Sequence, residues 1–277
     1  MTYAVVSRGR QGYPALLKEL YDPPARLYLR GGPADLLDLP AVAIVGARSC
    51  SAYGAQVARE LARELGAAGA VVVSGLARGV DGEAHRGALA AGGLTVAVLG
   101  CGIDRDYPRA HASLAGRIAE SGAIVSEYPP GIEPSPWRFP ARNRIVAGLA
   151  RATIVVEARE RSGALITADF ALELGRDVFA VPGEITSALS KGTNALLRSG
   201  AAPLTDTADV LELFGLTAAA RSPAAPEAAD ILAHLPATAD ELVRLTQRDA
   251  GQLAAVLAEL ELAGLVVEGE GTYRAAQ

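Results

Sequence analysis

The chain has 277 residues, 50% of them hydrophobic and 21% charged, with a net charge of −5; this is enough to bury a large core and a small second one, and it excludes intrinsic disorder. Its 30 Gly and 16 Pro follow no period, which excludes collagen-like and repeat architectures. No uninterrupted apolar run reaches the length of a membrane span and no secretory pattern opens the chain, so a soluble, cytosolic protein without a membrane partner is expected.

Residues 1–40 hold turn chemistry at Tyr13-Pro14, Asp22-Pro23-Pro24 and Gly31-Gly32-Pro33 around one short helix at 15–21, and are read as a lead-in segment packing on the core. From 41 to 216, β-branched runs at 42–45, 71–73, 96–99, 124–125, 154–156 and 178–181 predict strands. Between them, Ala/Leu/Arg/Glu-rich stretches at 55–65, 81–91, 110–120, 143–149 and 164–174 have helical period. Strands apolar on both faces and separated by helices predict an α/β domain, an extended Rossmann-like doubly wound parallel sheet. Residues 217–229, TAAARSPAAPEAA, are Ala/Pro-rich without apolar period and read as a linker. Residues 230–277 follow as a small winged-helix-like C-terminal domain, with helices at 230–234, 239–245 and 249–263 and a hairpin at 265–268 and 271–274.

Charge divides unevenly. Residues 48–161 hold 14 Arg against 11 acidic residues, whereas 221–277 hold 4 Arg against 9. A polyanion would therefore meet the middle of the chain, and the C-terminal domain is read as a packing or partner-binding module. Cys50 and Cys101, and His85, His111 and His234, lack metal-ligand spacing, so neither a metal nor a disulfide is expected.

The chemistry concentrates where predicted strands run into helices. The first strand leads into VGARSCSAYG: Gly46 and Gly54 permit a tight turn, Ser51 suits a helix cap, and Arg48 offers a bidentate fork to phosphate beside unpaired helix amides. The second leads into SGLARGVDGEAH, with Ser74, Gly75 and Gly79. This matches neither G-x-G-x-x-G nor a P-loop, so no nucleotide cofactor is expected. Asp81 and His85, one helical turn apart, are read as structural. The third leads into LGCGIDRDYP, where Arg105 and Arg109 flank Tyr107, and PSPWRFPARNR places Trp137 and Phe139 among Arg138, Arg142, Asn143 and Arg144. Aromatics interleaved with arginines suit single-stranded nucleic acid, whose bases stack on rings while guanidinium groups meet phosphates. Of the two rings, one is expected to be core and the other exposed. The fifth strand leads into EARERSGALITADFAL, with Ser162 and Gly163 at the turn. All these turns fall on the C-terminal edge of one parallel sheet, where open α/β folds bind ligands.

These segments, together with FPARNRIVAGL, RSGALITADFALELGRDVFAVPG and NALLRSGAAPL, resemble in order those of the DNA-processing protein A family, DprA or Smf, across residues 13–214. The resemblance implies a single-stranded DNA-binding protein of natural transformation that protects incoming strands and loads the RecA recombinase. It also implies a base-sized pocket at the glycine turns and a homodimer formed through the C-terminal part of the core. By position, Arg48 matches the family's GxR arginine, Arg109 the basic residue after its Tyr-Pro, and Phe139 the aromatic before its RNR. Two departures stand out: Pro136 falls where a basic residue is common, so Arg138, two residues on, is expected to supply the charge instead, and the chain begins too late for the helical module that many members carry in front. The dimer is expected on residues 194–204, through Asn194, Leu196, Leu197 and Leu204, beside the sheet's last edge. An enzymatic alternative comes from phosphoribohydrolases of the wider superfamily, with a PGGxGTxxE motif. Aligning its Thr with Thr167 puts Phe170 where the catalytic Glu belongs, so no enzyme is expected.

Overall fold

The computed structural model describes residues 2–217, 226–262, 265–269 and 271–275. Two compact units divide the chain, Met1–Ala218 and Ala219–Gln277. Among the described residues of the first, nine strands form one sheet: β1 (Ala4–Ser7), β2 (Arg26–Gly31), β3 (Ala41–Val45), β4 (Val71–Ser74), β5 (Thr95–Leu99), β6 (Ala123–Ser126), β7 (Ala152–Val155), β8 (Asp177–Ala180) and β9 (Ala202–Pro203), in the order β1-β2-β6-β5-β4-β3-β7-β8-β9. Strands β6 through β9 are parallel, while β2 runs antiparallel to β6 and β1 to β2. The order reverses between β3 and β7, which creates the crevice used by doubly wound sheets.

Alternation within each apolar strand assigns its side chains to two cores. Val42 and Ile44 of β3 pack with Ala58, Ala62 and Leu65 of α1 (Ala52–Ala67) and Ala84 and Ala88 of α2 (Val80–Ala90). Ala43 and Val45 face the other side, with Ile145 and Val146 of α4 (Arg138–Leu149) and Ala168 of α5 (Gly163–Glu173). Helix α1 buries Gly54, Ala58, Ala62 and Leu65, a stripe of small side chains at helical spacing that lets it lie close on the sheet. Helix α3 (Ala112–Ser121) covers β5 and β6 through Leu114, Ala115 and Ile118. Helices α6 (Lys191–Arg198) and α7 (Ala208–Glu212) complete this unit.

Two differences from the sequence reading bear on the site. Residues 1–40 supply β1 and β2 to the sheet, with Leu27 and Leu29 buried and only a 3-10 turn at Leu16–Glu19 where a helix was expected. Helix α4 begins at Arg138, five residues before the expected start. Pro140 lies in its first turn, where the missing N–H has no helical partner to lose.

The second unit holds α8 (Pro226–Ala233), α9 (Ala239–Thr246) and α10 (Ala250–Leu262), with a three-stranded antiparallel sheet of β10 (Ala237–Thr238), β12 (Thr272–Ala275) and β11 (Val266–Gly269). Ile231, Leu242, Leu253, Leu257, Leu260 and Val266 form its core. Thr238 and Glu241 make a reciprocal capping box on α9. Helix α8 starts inside the expected linker, with Pro226 at its first position, where proline's fixed φ favours helix entry; residues 218–225 of that linker lie outside the described residues.

Candidate functional site

Two adjoining hollows of about 280 and 200 Å³ open at the C-terminal edge of β3, β4, β5 and β7. They share Arg48, Ala77, Phe139 and Arg142. The early start of α4 explains the arrangement. Phe139, Arg142, Asn143 and Val146 are spaced i, i+3, i+4 and i+7, so one helix face lines the second hollow.

Phe139 is half-buried, with the Tyr107 ring stacked on it at 5.4 Å and the Arg48 guanidinium 5.4 Å from its centroid. Arg48 itself is exposed, at the mouth of both hollows. Arg142 forms the floor. It is 5% exposed, donates through Nη1 to the Val98 carbonyl, and donates through Nε to Asn143 Oδ1 at 3.3 Å. Asn143 Nδ2 donates to the Gly163 carbonyl at 3.0 Å, tying α4 to the start of α5. Ser162 caps α5 by accepting from the Ala164 amide at 3.2 Å, and with Gly163 it lines the second hollow.

The remaining glycines admit close packing around the hollows, and Gly46 and Gly75 also line the second one. Gly79 adopts φ +73°, and a side chain there would collide with the Ala47 carbonyl; the Val80 amide meanwhile donates to that carbonyl at 3.2 Å, locking the second turn onto the first. Gly46 lies against Val80 and lines the second hollow, and Gly75 leaves room for the Asp81 and Arg142 side chains.

Several expected contacts are redirected. Ser51 donates to Glu157 through its hydroxyl at 2.6 Å and its amide at 2.9 Å, while its Oγ accepts from the Gly54 amide at 3.0 Å. The carboxylate of Glu157 thus fills the anion position at the start of α1, and the absence of a side chain at Gly54 is what admits it. Ser51 is the expected cap of α1, and with Gly54 it also forms an internal clamp on Glu157. Ser74 is fully buried and its hydroxyl donates to the Ile44 carbonyl at 2.6 Å, which removes it from the surface set. Arg144 lies 140° around α4 from Phe139 by helical geometry (about 100° per residue), and its fork grips Glu127 at 2.9 and 2.7 Å, away from both hollows. Arg109 is exposed directly after Pro108, which lines the first hollow. Arg138 is held by stacking against Tyr128 and Trp137. Of the two rings, Trp137 is the exposed one, at 61%. Ser49, Arg78 and Tyr107 line the first hollow without having been singled out as contacts; their position in the same strand-to-helix turns was the available signal.

The expected dimer segment is mixed. Leu204 is 3% exposed and belongs to the core, and Asn194 clamps the Gly183 backbone, donating to its carbonyl at 3.0 Å and accepting from its amide at 3.3 Å. Leu196 lines a groove of about 430 Å³ with Leu165, Ile166 and Ala195, and Leu197 is half-buried. The sheet edge is closed by β9, two residues long and ending in Pro203, which limits strand-to-strand pairing.

Asp81 and His85 are buried, consistent with a structural reading. Burial pushes the Asp81 carboxyl up against the attraction of Arg142. Burial likewise pulls His85 down to about 4. The neutral ring donates from Nε2 to the Gly75 carbonyl at 2.6 Å and meets the Thr95 hydroxyl through Nδ1 at 2.7 Å. An unfolded imidazole takes its proton near pH 6.5, so between pH 6.5 and 4 the unfolded state binds more protons and stability falls as pH drops. The expected loss is about 3 kcal/mol over that window. Urea unfolding at several pH values should show it, and His85→Gln should flatten the slope; an unchanged slope would refute the assignment.

A Rossmann-like sheet whose switch-point crevice is fronted by arginine and stacked rings defines an α/β protein with a basic, aromatic crevice. Its family follows from comparison. The chain matches the family model for DNA recombination-mediator protein A over residues 4–215 and that for the DprA winged helix domain over residues 210–272, and it belongs to this DprA/Smf family. It is 48% identical over 206 residues to the DNA processing protein DprA of Streptococcus pneumoniae, covering 73% of this chain and 71% of that one. The X-ray structure of the Streptococcus pneumoniae protein superposes with a TM-score of 0.73 at 46% identity, covering 76% of this chain and 74% of that one. DNA processing protein A of Helicobacter pylori, whose structure concerns its single-stranded DNA binding mode, superposes with a TM-score of 0.69 at 34% identity, covering 76% of this chain and 95% of that one.

Proposed function

We propose that this chain is a sequence-independent single-stranded DNA-binding protein of natural transformation, which protects incoming strands and loads a RecA recombinase onto them. The observation that carries the reading is the stack of Arg48, Phe139 and Tyr107 at the mouth of the hollows, a guanidinium for phosphate beside rings of base size. Kinship with a protein described by its single-stranded DNA binding supports it. The winged-helix unit is assigned a partner-binding role, since α10 carries no Lys or Arg to meet phosphate. A binding role is favoured over hydrolysis by Phe170, which aligns in sequence with the hydrolase acid and packs against the core, and by the burial of Asp81, the carboxyl residue lining the hollows among the described residues, at 7% exposed. Gel shift on single-stranded and duplex oligonucleotides tests this, with single strands favoured and binding weakened by salt; preference for duplex would overturn it.

A homodimer would join two such sites on one strand and raise avidity without new contacts. The groove between α5 and α6, where Leu165, Ile166 and Leu196 lie among Glu160, Arg161 and Asp169, and the adjoining Leu197 support a second copy as its occupant. Leu197→Arg is expected to give a folded monomer by light scattering, with affinity for long strands reduced on the order of 100-fold. Unmutated protein that is already monomeric at tens of micromolar would end this proposal.

A further inference from the structure

Trp137 is the sole tryptophan of the chain and lines neither hollow. It stands immediately before α4, two residues from Phe139, and side chains at that spacing serve different sides of a helix. The same helix start therefore turns one ring into the first hollow and sends the other outward. A single exposed apolar side chain needs no explanation, but this one is not loose. The Arg138 guanidinium lies 4.9 Å from its ring centroid and 5.2 Å from that of Tyr128, and donates to the Glu133 carbonyl. Arg138 is thus clamped between two rings and a carbonyl, and it backs Trp137 as a fixed plate that remains 61% exposed.

We propose that Trp137, backed by Arg138, is an outer stacking platform for a nucleobase of the same strand whose neighbouring nucleotides enter the hollows. The proposal rests on the single-strand reading above and extends its footprint across the first turn of α4. A ring already held in place loses little freedom when a second planar group stacks on it, and stacking is tolerant of sequence because every base has a π-face. The surroundings suit a nucleotide better than an apolar protein surface. Glu133, whose carbonyl anchors Arg138, pairs through its carboxylate with Arg105 at 2.7 Å, and an apolar partner would have to strip water from this charged cluster. A phosphate beside the stacked base would instead meet guanidinium groups.

Because there is one tryptophan, its emission reports this position alone. The protein is titrated with a fluorescently labelled 20-nucleotide oligo-dT, following label anisotropy and tryptophan emission together. Emission is expected to be quenched with the same midpoint as the anisotropy change. Trp137→Ala should weaken binding about tenfold, and Trp137→Phe, which keeps a ring, about twofold or less. Full binding by anisotropy with unaltered emission, and Trp137→Ala binding as tightly as the unmutated protein, would overturn the platform while leaving the single-strand reading intact. No anisotropy change with unmutated protein would overturn that reading, and the platform with it. If Trp137→Ala kept its DNA affinity but altered the mass measured by light scattering, the ring would belong to a protein contact and the platform would fall.

Discussion

Arg48→Ala is expected to weaken single-strand binding by about 1.5–3 kcal/mol, roughly 10- to 150-fold, the scale of a hydrogen bond to a charged group. Arg48 is the exposed cation common to both hollows, positioned over Phe139. Its removal would take away the proposed phosphate contact and the guanidinium stacked on Phe139. The dependence of log K on log salt should become shallower by about 0.7, the increment for one lost contact to a single strand. Arg144→Ala is the informative contrast. It removes the fork that grips Glu127 and should lower the melting temperature while sparing the salt slope. Equal affinity losses from both variants, measured by anisotropy at three salt concentrations, would refute the division of arginines drawn from the structure.

Arg142→Met should cost the fold about 3 kcal/mol. The guanidinium is buried and donates to the Val98 carbonyl, and its charge is the largest influence opposing the burial penalty on Asp81. Methionine fills a similar volume, so the loss reports the uncompensated carboxyl and the orphaned carbonyl more than a cavity. Adding Asp81→Asn should recover about 1 kcal/mol or more, because the amide carries no charge to strand. Urea titration of both single variants and the double variant closes the cycle. Strictly additive losses would show that Asp81 and Arg142 do not communicate across Gly75.

The sheet from β3 to β8 was legible because its strands are apolar on both faces and the helices between them keep a clear period. The strands β1 and β2 were not. In β2, residues 26–31 read RLYLRG, an alternation that buries Leu27 and Leu29, but Asp22-Pro23-Pro24 before it and Gly31-Gly32-Pro33 after it dominate a local reading. Pairing with β6, nearly a hundred residues away, makes this segment a strand, and no local window contains that partner. At α4 the expected helix, 143–149, left out the first turn from Arg138, which contains Pro140, although a proline in a helix's first turn sacrifices no bond.

What the sequence determined by itself was that the strand-to-helix turns gather on one edge, since a parallel sheet must deliver every such turn there, and that Arg48, Phe139, Arg142 and Asn143, which line the hollows at that edge, belong to those segments. Only the tertiary structure decided which turn residues line the hollows and which satisfy the protein. Glu157 reaches the start of α1 from beyond β7 and takes the place that Ser51 and Gly54 seemed to hold open. Helix α4 places Arg144 on the face that meets Glu127, and Trp137, just before its start, stays in solvent. The physical reason is common to both cases: a helix amide or a guanidinium binds whichever anion is brought near, and chain folding brings the internal carboxylate there first.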